Sequence, residues 1–377
     1  MNPGKYLRRL PPARWEPCRP APGCRAAVAI PVLGELETLP GLLDSIAGAG
    51  VPVVLAVNQQ PDSPESYKRQ NAELLSMLRA GRFPGVCWLD FTADYLNPPG
   101  VGSARKAAMD AAAVAFGTSI ILFSLDGDTL VEPNYFEAVL SAFDAHPEWA
   151  AATIDFEHVS SDPAVLAAAR QYENYLRHYR DGLTRAGSPY AYIPLGSAMA
   201  VRGEAYVKAG GMRTRAGGED FYFLQAVRKI GEMGEIFSTR VHPSARPSDR
   251  VPFGTGPRVR KIIETGAIAC EPDWVFDELS GVLAAVEDAV TVEQLLKLEI
   301  TGPAAPFFAE QRFREDWAKI TANTPRDPDR LRRAFHEWFD AFRTLRLIHF
   351  LEQHHGLGGN AVAAPGEAEL FGGGGFN

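Results

Sequence analysis

The sequence predicts an α/β fold, a mostly parallel sheet flanked by helices with a helical region at the C-terminal end, on three observations. Short apolar runs rich in β-branched residues alternate with segments of helical period from residue 26 to about residue 240. One of these runs, Ser119-Ile-Ile-Leu-Phe-Ser-Leu-Asp126-Gly127-Asp128, stops abruptly at two carboxylates separated by a glycine. Beyond Arg258 helical periodicity takes over.

Each element follows from its pattern. Residues 26–30 read as a buried strand and residues 31–35 as a loop. Residues 38–47 read as a helix with Leu39, Leu42, Leu43 and Ile46 on one face. The unit then repeats as a strand over 51–57, a polar loop over 58–64 and a helix over 65–80. Residues 87–91 form a short strand, and Gly100 to Lys106 open an alanine-rich helix running to Phe116. After the acid-ended strand come a turn at Glu132-Pro133-Asn134, a helix over 135–145, a strand over 150–156 and a long helix over 163–185. The tyrosines of that helix, Tyr172, Tyr175 and Tyr179, read as packing, with a sugar platform as the alternative. A glycine-led strand over 194–202 precedes a glycine-rich loop, Glu219-Asp220 and a helix over 221–230. A further strand ends at Val241 and His242, followed by a proline- and arginine-bearing loop that includes Arg246 and Arg250. Amphipathic helices are expected over 274–289 and 331–351, with a proline-rich break near 301–306. The domain plan is an arm over 1–24, an α/β domain over 25–258, a helical domain over 259–355 and a flexible Gly/Ala-rich tail over 356–377.

Composition narrows the class. A chain of 377 residues with 46% hydrophobic and 22% charged residues has the make-up of a soluble globular enzyme. Its net charge of −8 argues against a nucleic-acid partner. Cys18, Cys24, Cys87 and Cys270 have no C-x-x-C spacing, so the pattern suggests neither a zinc site nor a disulfide framework. The basic, proline-rich residues 1–25 lack the apolar core of a signal peptide, and no apolar run nears the ~20 residues of a membrane helix. A cytoplasmic location is the resulting expectation.

The acid-ended strand carries the chemistry. Two carboxylates at the mouth of a buried strand repel each other and resist desolvation, so they call for a compensating positive charge. A hard divalent cation, Mn2+ or Mg2+, meets that need through oxygen ligands and a substrate's phosphates. Arg105 and Lys106, in the first turn of a helix opened by glycines, suit an anion, and the bland alternative is two solvated cations. Asp220 at a helix start can equally be an acid complementing the dipole, and a lone His such as His242 is usually structural.

Taken together, residues 26–256 resemble the inverting glycosyltransferases of family 2, which have the GT-A (Rossmann-like) fold. The resemblance rests on Ile30-Pro31-Val-Leu-Gly-Glu35, Gly102-Ser-Ala-Arg105-Lys, Asp126-Gly127-Asp128 as the D-x-D motif, and Gly218-Glu219-Asp220 before a helix. It implies a nucleotide site lined by Pro31, Glu35, Asn58, Arg105, Asp126 and Gly127, with Asp126 near the ribose. It implies a metal bound by Asp128 with Asp126 and His242, a diphosphate held by Arg246 and Arg250, and Asp220 as the catalytic base. Asn58 departs from the family's commoner aspartate, and the loop after His242 matches no family signature. The implied reaction moves a sugar from a nucleoside diphosphate to an acceptor hydroxyl of a saccharide, lipid-linked or small-molecule acceptor. A retaining GT-A enzyme would share the D-x-D, whereas a nucleotidyltransferase would show a glycine-rich, lysine-containing phosphate loop where this chain has an acidic one. The amphipathic C-terminal helices would dock on the catalytic domain or on a second copy of the chain.

Overall fold

The computed structural model describes residues 3–7, 15–16, 23–246 and 254–355. The expectations for Arg250 and for the 356–377 tail fall outside the described residues. Two compact units form, one from Met1–Tyr172 with Pro194–Gly266 and the other from Glu173–Ile193 with Ala267–Asn377.

The first unit holds a sheet of nine strands: β1 (Trp15–Glu16), β2 (Ala26–Val32), β3 (Val53–Asn58), β4 (Val86–Phe91), β5 (Ile121–Ser124), β6 (Thr129–Val131), β7 (Trp149–Phe156), β8 (Met199–Arg202) and β9 (Glu232–Pro243). Their spatial order is β1-β4-β3-β2-β5-β8-β7-β9-β6. The pairs β2/β3, β3/β4, β2/β5 and β7/β9 are parallel. Strand β8 runs antiparallel to both β5 and β7, and β1/β4 and β6/β9 are also antiparallel, so the sheet is mixed. From β2 the chain steps outward through β3 and β4, then returns to lay β5 on the other side of β2. Such a reversal opens a crevice at the carboxyl ends of the two strands on either side of it.

Helices α1 (Pro3–Leu7), α2 (Leu39–Ile46), α3 (Glu65–Arg79), α4 (Val101–Phe116), α5 (Tyr135–Ala145), the first half of α6 (Pro163–Arg185), α7 (Gly203–Lys208), α8 (Glu219–Arg228) and α9 (Thr255–Thr265) belong to this unit. Helix α4 packs on β2 and β3, and its small buried residues, Ala104, Ala108, Ala111, Ala112 and Ala113, allow a close approach. Phe123 of β5 meets Tyr135 and Phe136 of α5 at ring-centroid distances of 5.5 and 5.1 Å. Such pairs contribute ~0.5–1.5 kcal/mol each beyond their area and anchor the strand that leads to Asp126.

Three boundaries differ from expectation. Strand β2 continues through Pro31 to Val32, with Pro31 buried in register with Ala56 of β3, so Pro31 is a sheet residue rather than the first residue of a ligand loop. The acid-ended strand stops at Ser124; Asp126, Gly127 and Asp128 form the turn into β6, a short strand the apolar pattern does not announce. Only Met199–Arg202 of the 194–202 stretch is strand.

In the second unit, the rest of α6 joins α10 (Asp273–Glu287), α11 (Val292–Leu296), α12 (Ala305–Glu310), α13 (Phe313–Asn323), α14 (Pro328–Trp338) and α15 (Ala341–His355). Its core is aromatic, built on Phe276, Phe307, Phe308, Trp317, Phe335 and Phe339. The helix expected over 331–351 is two helices. Asp340 interrupts it by capping α15, with its carboxylate taking the Arg343 amide at 3.3 Å. Apolar periodicity hides that break because Phe339 and Ala341, on either side of Asp340, are both buried. Cys24 and Cys270 are free thiols, while Cys87 is engaged in a disulfide that the spacing of the cysteines does not signal. Among the described residues no helix is long and apolar enough to cross a membrane.

Candidate active site

The crevice between β2 and β5 is where the acidic motifs meet. Leaving β2, the chain turns at Gly34, whose amide donates to Oδ1 of Asn71 at 3.0 Å. Asn71 is buried on α3, and its amide group donates to the Asn58 carbonyl at 2.8 Å. Asn58 in turn gives its side-chain N–H to the Val32 carbonyl at 2.8 Å. These bonds fix the β2 turn and so aim Glu35, which is 8% exposed, into the crevice. The Asn58 amide group thus donates to the scaffold, where the family resemblance implied a contact with the nucleotide. The sequence offered one sign of Asn71: a polar residue in the apolar stripe it shares with Leu74, Leu75 and Leu78.

On the other side of the crevice the turn after β5 brings Gly127 against Glu35 and Asp128 to the same guanidinium as Glu35. Gly127 leaves room for the Glu35 carboxylate, whose Oε2 an added Cβ would overlap. Arg246, following β9, donates from Nη2 to Glu35 Oε1 at 3.1 Å and to Asp128 Oδ2 at 3.0 Å. Burial, then repulsion from Asp126, pushes the Asp128 carboxyl up to about 6 even though Arg246 pulls the other way.

The third acidic group arrives from α8. The loop before it lies against the start of α4: the Gly102 amide donates to the Arg215 carbonyl at 3.1 Å, and a Cβ on Gly100 would stand 2.8 Å from Cα of Ala216. Gly218 then takes a left-handed φ of 67°, which glycine adopts without strain, and Glu219 and Asp220 open the helix. Glu219 is buried and accepts from Arg105 Nε at 3.1 Å. Burial, then the Glu219 charge, pushes the Asp220 carboxyl up to about 7, while its Oδ1 accepts the Phe221 amide at 2.8 Å.

Arg105 links these parts. Only 2% exposed, it donates to Glu219, to Asp126 Oδ1 at 2.8 Å, to Ser124 Oγ at 2.7 Å and to the Gly196 carbonyl at 3.0 Å. A side chain on Gly196 would bring a Cβ to 2.5 Å from Nη2 of Arg105. The expectation that Arg105 and Lys106 present themselves to an anion is therefore corrected. Arg105 is a buried strut among carboxylates, and Lys106 pairs with Asp110 at 2.8 Å and with the Tyr6 hydroxyl. The spacing of the motif showed the cations but not that the Gly102 amide is already taken by Arg215.

His242 lies opposite Leu130 of β6, and its Nε2 is 3.6 Å from Glu132. Among the described residues no three His, Cys, Asp or Glu side chains gather as a ready metal cage, so His242 does not join Asp126 and Asp128 in one. The oxygen donors themselves suit a hard cation. Five carboxylates, Glu35, Asp126, Asp128, Glu219 and Asp220, share the two guanidinium groups of Arg105 and Arg246, and burial, then repulsion from a neighbouring carboxylate, makes both Asp128 and Asp220 hold their protons more tightly. A divalent ion bound through one or two carboxylates and a ligand's phosphates fits that donor set. Tyr172, assigned to packing from the sequence, lies within electrostatic reach of Asp220 and Arg258, and burial pushes its phenol up to about 12.

No family model and no curated protein matches the chain. Among solved structures it is similar to residues 1–349 of TarS from S. aureus in complex with UDP-GlcNAc, with a TM-score of 0.44 and 13% identity, covering 85% of this chain and 91% of that one. It is also similar to the mannosyltransferase PcManGT from Pyrobaculum calidifontis in complex with GDP-Man and Mn2+, with a TM-score of 0.43 and 16% identity over 90% of this chain and 93% of that one. GalNAc-T7 with UDP, GalNAc and Mn2+ scores 0.40 at 16% identity over 78% of this chain and 54% of its own.

Proposed function

We propose that the chain is a glycosyltransferase of the GT-A type, moving a sugar from a nucleoside diphosphate to an acceptor hydroxyl with inversion at the anomeric carbon. The observation that carries this reading is the joining of the Asp126-Gly-Asp128 turn to the Glu219-Asp220 helix start by one buried arginine at the sheet's reversal point.

Asp128 and Asp126 would hold a divalent cation, Mn2+ or Mg2+, which when bound supplies Lewis-acid stabilisation of the charge growing on the leaving diphosphate. Glu35 lines the same crevice on the β2 side, and Arg246 offers a guanidinium to the diphosphate. Asp220 takes the proton of the acceptor hydroxyl. A carboxyl held up to about 7 is a better base than a solvent-exposed one and still gives up its proton near neutral pH. Glu219 is spent on Arg105 and serves to keep Asp220 in that state. Sugar departure proceeds through an oxocarbenium-like transition state, with attack on the face opposite the leaving group.

The test is to incubate the protein with a panel of UDP- and GDP-sugars and Mn2+, first following donor hydrolysis and then adding acceptors. An α-linked donor is expected to give a β-linked product by NMR. Retention would move Asp220 out of the base role and favour the retaining alternative.

A further inference from the structure

Arg246 donates from a single nitrogen, Nη2, to Asp128 at 3.0 Å and to Glu35 at 3.1 Å, joining the two sides of the crevice. It belongs to the segment that follows β9, and its side chain remains about one-third exposed, whereas Arg105 is sealed in. The two arginines therefore differ in kind. Arg105 has four acceptors from three directions and no way out, while the Arg246 guanidinium is held, among the described residues, by two carboxylates whose charge another cation could take over.

We infer that Arg246 is the resident counter-ion of Asp128, which a divalent cation must displace, and that the displaced guanidinium then serves the incoming diphosphate. This rests on the proposed donor site at Asp126 and Asp128. Its physical basis is that a guanidinium and a metal ion compete for one carboxylate and repel each other when both are close. A divalent ion alone gains Asp128 but gives up the Arg246 ion pair and faces its charge. A diphosphate brings the negative charge that accommodates both cations, so metal and diphosphate enter together, each strengthening the other. Arg246 is a positioning residue in this account: it keeps the two acidic motifs together in the free protein and sets the order in which the site fills.

The experiment measures Mn2+ alone by calorimetry or electron spin resonance, and UDP and GDP with and without saturating Mn2+, on wild type, Arg246→Gln, Arg246→Lys and Asp128→Asn. Melting temperatures establish that each variant is folded. In Arg246→Gln, Mn2+ alone is expected to bind about tenfold more tightly, the effect of removing a unit charge a few ångströms from a divalent one in a wet cleft. The nucleoside diphosphate should bind at least about tenfold more weakly in the presence of Mn2+, with Arg246→Lys intermediate in both. Unchanged or weaker Mn2+ binding in Arg246→Gln, with Asp128→Asn abolishing it, overturns the counter-ion role and leaves the metal site standing. Mn2+ binding that survives Asp128→Asn overturns the metal site and this inference with it. Nucleotide binding that ignores Mn2+ but requires Arg246 makes the arginine the site's permanent cation and overturns both.

Discussion

Replacing Asp128 by Asn should stabilise the free protein at neutral pH, an unusual outcome for a half-buried charged residue with an ion-pair partner. In the folded chain this carboxyl titrates at about 6 against an ordinary value of 3.8, because burial and Asp126 outweigh Arg246. A carboxyl with a raised folded value binds its proton more tightly in the folded than in the unfolded state. Stability is therefore lost as pH rises from about 4 through about 6, and the loss persists above that window. The difference of about 2 pH units corresponds to about 3 kcal/mol. Asparagine mimics the protonated carboxyl and keeps an oxygen for Arg246, so Asp128→Asn should exceed wild type by about 3 kcal/mol at pH 8, converging with it toward pH 4. On a chain of this size that is a rise in Tm on the order of 4 °C. Urea titrations of both proteins at several pH values between 4 and 8 measure the difference directly, with other carboxylates cancelling. A variant less stable than wild type at pH 8, or a gain that does not vary with pH, would show that Arg246 already balances Asp128 and that the crevice has no surplus negative charge.

Three further outcomes follow from the same geometry. Asp220→Asn should lower turnover by ~10²–10⁴-fold with nucleotide affinity nearly intact, and the wild-type rate should fall on the acid side of about pH 7 as Asp220 takes up its proton; an equal loss in donor binding would assign Asp220 to the donor site instead. Arg105→Met strips a buried cation from Glu219 and Asp126 and should cost ~3–5 kcal/mol in chemical denaturation, whereas a near-neutral change would mean that those carboxylates simply protonate. Truncation after Gly266 removes α10, whose Phe276 covers the second half of α6 at Gly182, so the truncated protein should aggregate in size-exclusion chromatography; a soluble monomer with unchanged Tm would show that α6 needs no such cover.

What the sequence determined by itself are the features set by local physics. Alternating apolar runs and helical stripes specify strands and helices whatever their neighbours, so β2 to β5, α2 to α5 and α10 were legible to within a residue or two at most ends. Carboxylates placed where an apolar run stops were conspicuous because no folding argument accounts for them, and Asp126, Asp128 and Asp220 were found on that ground or on their resemblance to a known pattern. What only the tertiary structure decided is which groups satisfy which. The strand order places β8 antiparallel between β5 and β7, and that juxtaposition sets the Gly196 carbonyl beside Arg105. A guanidinium at a helix start reads identically in sequence whether it meets solvent, phosphate or protein, and Arg105 meets residues 19, 21, 91 and 114 positions away. The same holds for Asn71, Gly127 and Arg246, whose partners are remote in the chain and near only after folding. Charge is visible in a sequence, but compensation of charge depends on distance in space, and distance is what the fold supplies.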